Sequence, residues 1–249
     1  MEARVFIVQH HYSKSFVVDR FNFGLHRHGR LVGVATFSVP VSIGSLSKYF
    51  GNVPALELGR FVLLDQEPAN AESWFLARCF AVLPRLGIEG VLSFTDPTPR
   101  SDKTGHVIFP GHVGTIYQAT NGRYLGRSTP RTLLVLADGT IMNSRTIQKI
   151  RAKEQGWTSA IQKLVSYCAA PLHGDDTRSW LKAELPRITR KLHHRGNHRY
   201  LFGLTSAVKR MLPVGGEYPK VAHCGDLYEE EMATGEAPKL YQRIKELGG

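Results

Sequence analysis

The 249-residue sequence lacks any apolar run approaching the roughly 18 to 20 residues that a membrane-spanning helix needs. Its opening, MEARVFIVQHHYSK, turns polar too soon for a secretory leader and offers no small-residue cleavage site, so a cytoplasmic protein is expected. Cysteine is scarce: Cys79, Cys168 and Cys224 are widely spaced and odd in number. That excludes a disulfide framework and a cysteine metal knuckle, and it suits a reducing compartment. Repeats of fold-defining length and low-complexity tracts are absent. Negative charge is also short. Against 32 Lys and Arg stand 21 Asp and Glu, a net +11, and the pI is about 9.7. The deficit is local: from Arg123 to Arg210 there are 17 basic residues and 5 acidic ones, which accounts for the whole imbalance. The tail compensates, with a Glu229-Glu230-Glu231 run. Positive charge gathered on one stretch points to a polyanionic partner.

What is present reads as alternating strands and helices. Val5 to Val8 is a short apolar run, expected as a first strand. Phe21 to His26 and Leu31 to Val39, joined through Gly29-Arg30, read as a hairpin. Leu56 to Leu64 is the next strand. A helix then opens at Asn70 as N-cap, with Trp74, Phe75, Ala77, Phe80 and Leu83 as its apolar face and Gly87 closing it. Gly90 to Phe94 is a strand, Thr98 to Phe109 a loop, and Gly114 to Asn121 a short helix. Tyr124 to Ser128 and Thr132 to Leu136 are strands. Beyond them the pattern becomes helical and basic: Ser144 to Gln155, Thr158 to Cys168 and Asp176 to Leu192, with Arg199 to Leu204 as one late strand. Trp157 and Trp180 suit the core of that part. The sum is an α/β (α+β) plan around one sheet.

Four segments carry a more specific signal: ELGRFVLLD (Glu57 to Asp65), NAESWFLARC (Asn70 to Cys79), SFTDP (Ser93 to Pro97) and GHVGTIYQATNGRYLG (Gly111 to Gly126). In order and content they resemble the Mom family of phage proteins, which hypermodify adenine in DNA to shield it from restriction. HRYLFGL (His198 to Leu204) is a fainter echo. The resemblance implies a GNAT-like core, a central mixed sheet flanked by helices, over residues 1–141. It leaves 142–249 as a basic, mainly helical extension contacting DNA or tRNA. It further implies double-stranded DNA as substrate and a glycinamide (carbamoylmethyl-type) group placed on the adenine exocyclic amine. One departure stands out: PRSDKTGHVIFP (Pro99 to Pro110) separates the Asp-Pro from the Gly-His-x-Gly, which the family runs almost directly together.

Each candidate residue has its own chemistry. Tyr117 lies where acyltransferases of this fold keep a tyrosine near the leaving group, and a phenol can supply a proton there; a core tyrosine is the plain alternative. Asp96 ends a strand, where it could accept a proton from the adenine amine or form a turn before proline. His11 and Tyr12 match the family's His-Tyr pair, as a base or as a stacking surface for an extruded adenine. Arg60, in an apolar strand, needs a partner: Glu57, or a donor's phosphate. Ser73 lies in the first turn of a helix, near free amides that suit an anion. In the basic stretch Arg145, Lys149, Arg151, Lys153, Arg187, Arg190, Lys191 and Arg195 are expected to hold a nucleic-acid backbone. The pairs His10-His11, His26-x-His28 and His193-His194 with His198 are weak metal candidates, without acids in register.

The donor is open. Ordinary acyltransferases of this fold wrap the pyrophosphate of coenzyme A in a Gly-rich turn, but here the junction is Leu64-Asp65-Gln66-Glu67-Pro68-Ala69-Asn70. Acetyl-CoA is therefore one expectation and glycyl-tRNA another. Two other functions remain open: a conventional acetyltransferase, and a non-enzymatic DNA-binding protein with a helix-turn-helix over Ser144 to Cys168.

Overall fold

The computed structural model describes residues 2–40 and 44–220. The Glu229–Glu231 run and Cys224 lie outside the described residues. The chain forms α1 (Glu2–His10), β1 (Asp19–Arg27), β2 (Arg30–Ser38), α2 (Gly44–Phe50), β3 (Ala55–Leu63), α3 (Ala71–Val82), β4 (Gly90–Thr95), β5 (Arg100–Ser101) and β6 (Val107–Phe109). It continues through α4 (Thr115–Ala119), β7 (Arg123–Arg127), β8 (Arg131–Leu136), α5 (Ser144–Arg151), α6 (Trp157–Ser166), α7 (Thr177–Ile188), β9 (Thr189–His194), β10 (His198–Gly203) and α8 (Ser206–Met211).

These elements make two compact units that interleave along the chain. The first holds residues up to Thr98, Gly111–Arg131 and Arg195–Tyr218. The second holds Pro99–Pro110 and Thr132–His194. A sequential division at 141/142 therefore gives way to an interleaved one. The reason is pairing: β10 lies between β4 and β7 and belongs to the first unit, while β8 pairs with β9 in the second.

The first unit is built on a six-stranded sheet of order β1-β2-β3-β4-β10-β7. Only β3 and β4 run parallel; the other neighbours are antiparallel. This is the mixed sheet flanked by helices expected of a GNAT-like core. Strand β2 is buried along nearly its whole length because helices cover both faces. On one face Ala35, Phe37, Leu58 and Val91 pack against Phe75 and Leu76 of α3 and Tyr117 of α4. On the other, Val34 and Val62 meet Phe6 and Ile7 of α1, and Leu92 and Leu201 meet Phe50 and Val208. The β1–β2 turn is two residues, His28 and Gly29, both at positive φ, the conformation that tight hairpins favour.

Four local expectations are corrected. The apolar run at Val5–Val8 is helical, not a strand, because Phe6 and Ile7 of α1 are what the sheet face buries; a four-residue run does not separate the two. In α3 the buried residues are Phe75, Leu76 and Cys79, whereas Trp74 is exposed, and the Asn70 side chain makes no cap bond. Thr98 to Phe109 is not a plain loop: β5 and β6 pair, and Asp102 caps their turn by accepting from the Thr104 and His106 amides. The last predicted helix stops at Ile188, two residues after Pro186 has removed one amide from its ladder, and Thr189 turns extended into β9.

The second unit has its own core of Leu136, Ile150, Ile161, Leu164, Trp180 and Leu181. Trp180 is buried there, and its indole N–H donates to the Ala170 carbonyl at 2.8 Å. The Pro99–Pro110 insertion belongs to this unit, tied by the Arg190 guanidinium to the Ser101 carbonyl at 3.0 Å. Among the described residues no helix is long and apolar enough to cross a membrane.

Candidate active site

The site is made by a divergence in the sheet of the first unit. The β3–β4 ladder runs from Ala55/Gly90 to Leu58/Ser93 and stops, although both strands continue. Beyond that point β3 stays with β2 and β4 stays with β10. On β3 the break coincides with a bulge, since Leu58 pairs with Phe37 and Arg60 with Thr36, leaving Gly59 as the extra residue. Gly59 is required there: an added Cβ would lie 2.5 Å from Ser38 Oγ.

Tyr117 packs at this divergence, 6% exposed, its ring edge-on to Tyr200 and Phe202. Burial pushes its phenol well above the ordinary tyrosine range, and the nearby Tyr12, Glu57 and Glu72 add to the effect. Ser93 lies beside the phenol and works in the opposite direction, though Ser93 Oγ completes no hydrogen bond of ordinary geometry. The phenol therefore keeps its proton at neutral pH. The loop before α4 fixes its position. The His112 amide donates to the Asp96 carbonyl at 2.8 Å, the Tyr200 hydroxyl donates to the Val113 carbonyl, and Gly114 sits at φ +84°. A Cβ on Gly114 would come within 2.7 Å of Thr95 and 2.9 Å of Tyr200. Gly114→Ala is accordingly expected to cost about 2–4 kcal/mol from left-handed strain and overpacking together. In a thermal melt that is a Tm loss of roughly 5–15 °C for a chain of this size; an unchanged Tm would show that this loop does not hold α4 in place.

The segment after α1 supplies the opposite wall. His11 is 8% exposed, and its Nδ1 accepts the Ser13 amide at 3.1 Å. An amide can only donate, so the ring proton sits on Nε2. Burial, then the charge of Arg60 and the proximity of His112, lower its pKa to about 3. His11 is thus a neutral hydrogen-bond donor rather than a base. Tyr12 stacks on it with ring centroids 4.2 Å apart, stands edge-on to His112 at 6.3 Å, and is half exposed.

Arg60 serves this segment first. Its Nε donates to the Ser15 carbonyl and one terminal nitrogen to Ser15 Oγ, both at 2.9 Å, while the other reaches the Gly59 carbonyl at 2.6 Å. It clamps the His11–Ser15 segment to β3 and projects its charge towards Glu57 and Tyr12. Glu57 is the residue that sequence reasoning left as a mere counter-ion. Burial raises its carboxyl pKa, and Arg60 pulls it partway back, which makes it a candidate proton acceptor at the site.

The remaining candidates fall differently. Asp96 Oδ1 accepts the Thr98 amide at 3.0 Å, closing a turn through Pro97. The Ser73 hydroxyl donates back to the Asn70 carbonyl at 3.1 Å, as capping-region serines do. Near that helix start, burial and then Asp65 raise the pKa of Glu72, and Arg27 is taken up by Glu67 at 3.2 Å, so carboxyl groups crowd the place where a pyrophosphate would need positive charge.

His198, the start of the fainter echo, was expected only as a metal candidate. It is 2% exposed, its Nδ1 lies 2.8 Å from the Tyr124 hydroxyl, and its pKa falls to about 4 through burial, then Arg127 and His112. Among the described residues no group of three or more His, Cys, Asp or Glu side chains is disposed to hold a metal. Of the eight basic candidates, Arg145 is bound to Glu154, Lys153 to Asp175 and Arg187 to Glu184. Arg190 holds Ser101. Arg151 and Lys191 are exposed and Lys149 is half-buried, while Arg195 falls in the first unit.

Two solved structures overlay loosely on the chain. An N-acetyltransferase from Staphylococcus aureus Mu50 is 12% identical, with a TM-score of 0.33 over 74% of this chain and 67% of that one. A tandem GNAT protein from the clavulanic acid biosynthesis pathway is 8% identical, with a TM-score of 0.38 over 74% and 82%. No curated protein matches. A profile of the Mom protein family matches residues 1–220, the span that contains both walls of the site, its glycine-set loop and the described residues of the second unit, and the chain therefore belongs to the Mom family.

Proposed function

We propose that the protein is a transferase that hypermodifies the exocyclic amine of adenine in double-stranded DNA with a glycinamide group, protecting phage DNA from restriction in the host cytoplasm. The observation that carries the reading is the buried, protonated Tyr117 at the sheet divergence, opposite Glu57 and the His11–Tyr12 pair. Family membership supplies the class of reaction.

In this account adenine leaves the duplex, because its amine is otherwise paired. The half-exposed Tyr12 ring receives its face, and the His11 Nε2 hydrogen donates to it. Glu57 takes a proton as the amine attacks the donor carbonyl, and Tyr117 gives one to the leaving oxygen. With glycyl-tRNA as donor, the amine nitrogen bonds to the glycyl carbonyl and the tRNA hydroxyl departs. The free glycyl amine then attacks the ring carbon that bears the amide nitrogen. That C–N bond breaks, one proton passes from the attacking amine to the displaced nitrogen, which leaves as a primary amide, and adenine-NH-CH2-CO-NH2 results without a redox step. Arg60 positions the His11–Ser15 wall throughout.

The carboxyl groups of Asp65, Glu67 and Glu72 around the start of α3 would receive the pyrophosphate of coenzyme A poorly, which is why the donor proposed is an aminoacyl ester. A reconstituted reaction tests this directly. Modified adenine should form with charged glycyl-tRNA and not with acetyl-CoA alone. Formation with acetyl-CoA and no aminoacyl-tRNA would replace the donor, and tight coenzyme A binding without DNA modification would favour a conventional acetyltransferase.

A further inference from the structure

We propose that the second unit is a duplex-reading module in which α6 lies in the major groove of DNA. This rests on the function proposed above, and it assigns the contact to residues outside the basic set singled out from the sequence.

The geometry begins with the turn. Asn143 caps α5, its side chain accepting the Arg145 amide at 2.8 Å. After α5 the chain reverses through Lys153 and Gly156, both at positive φ, and Gly156 opens α6. Ile150 of α5 meets Ile161 and Leu164 of α6 in the core, with Trp180 and Leu181 of α7 behind them. The result is a helix, a short turn and a second helix on a shared core, the arrangement by which small units present one helix to DNA. At 10 residues, α6 is long enough to lie across the roughly 12 Å of a major groove.

The outward side of α6 is what makes this a reading surface. Thr158, Ser159, Gln162, Lys163 and Ser166 are all exposed and recur at a spacing that keeps them on one stripe, opposite Ile161 and Leu164. Every one of them can hydrogen-bond, and none is acidic. Gln matches the paired donor and acceptor of adenine, Ser and Thr serve any base, and Lys suits guanine or phosphate.

Charge agrees. The described part of this unit, Lys220 included, holds 13 Lys and Arg against 6 Asp and Glu. All six acids are engaged within the unit. Glu154, Asp175 and Glu184 form ion pairs; Asp102, Asp138 and Asp176 close turns or cap a helix. Lys163 and Arg151 form no ion pair among the described residues. The acids thus neutralise Arg145, Lys153 and Arg187, while the face of α6 keeps its positive charge.

The test uses the full-length protein and a labelled DNA duplex of mixed sequence. Lys163→Glu should weaken duplex binding about tenfold and reduce the salt slope of the affinity by about one or two. The pair Thr158→Ala and Gln162→Ala should leave binding to mixed sequence near the parent value. It should relax the preference among target contexts about fivefold or more, read by sequencing modified sites. These positions are exposed, so folding is retained, and matching melts confirm it. Duplex affinity and context preference both unchanged would overturn the inference and leave the chemistry untouched. Loss of tRNA binding with duplex binding unchanged would also overturn it, moving the surface to the donor. If Lys163→Glu weakens duplex binding although no modified adenine ever forms, the docking surface stands and the proposed chemistry falls.

Discussion

Tyr117→Phe is expected to lower the rate of adenine modification by about 10²–10⁴, the range that loss of a positioned general acid produces. The substitution removes one oxygen from a side chain that is 6% exposed and packed against Tyr200 and Phe202. Its ring contacts remain, and Ser93, beside the phenol, completes no ordinary hydrogen bond with it. Stability should consequently change by less than about 1.5 kcal/mol, the net worth of a typical hydrogen bond. DNA affinity should hold as well, which separates a chemical defect from a folding or docking defect. Because burial keeps the phenol protonated far above neutrality, the parent rate should show no loss from Tyr117 ionisation up to pH 9. Single-turnover rates for the two proteins at equal DNA occupancy measure the effect. A Phe variant within threefold of the parent would return Tyr117 to the role of a core tyrosine.

The second large effect is acid sensitivity. His11 and His198 are almost fully buried, and their pKa values fall to about 3 and about 4 from the ordinary histidine value of 6.5. Between those limits the unfolded chain binds a proton at each position and the native protein does not. Stability is therefore full above pH 6.5 and is lost as the pH falls towards 4. At pH 5 each histidine should have removed about 2 kcal/mol, at 1.36 kcal/mol per pKa unit. Thermal melts from pH 7.5 to 4.5 would show it, and His198→Gln, which cannot charge, should flatten the fall by about half. An equal acid slope in that variant would mean that His198 is reached by solvent and titrates normally.

How far the sequence foretells these features depends on what sets each one. The β1–β2 hairpin, β3 and β4 are legible because Gly29, the alternation of Phe21, Phe23 and Leu25, and the run Leu56 to Leu64 are local signals. Helix α1 is not, because four apolar residues carry no period and the choice is made by Val34 and Val62 across the sheet. The extent of α7 is decided by the pairing of its continuation, β9, with β8. The insertion looks like a loop until Asp102 is seen to cap its turn.

The site follows the same division. Tyr117, Arg60, His11 and Tyr12 carry the family resemblance and meet at the divergence. Glu57 and Ser93 are not legible as site residues because they lie in strands that read as apolar, and His198 reads only as a weak metal candidate. A signal was present: Ser93 and Thr95 alternate with Leu92 and Phe94, placing two hydroxyls on one buried face of β4. Arg145, Lys153 and Arg187 were overvalued, since helical spacing identifies a basic face but not the acid that already occupies it.

Nucleoside mass spectrometry of DNA from cells expressing the protein, beside cells expressing Tyr117→Phe, tests the central claim most directly. The account predicts a deoxyadenosine derivative carrying a glycinamide group in the first sample and little or none in the second. Unmodified DNA from well-expressed, folded parent protein, or an acetyl-sized addition in place of the glycinamide, would contradict it.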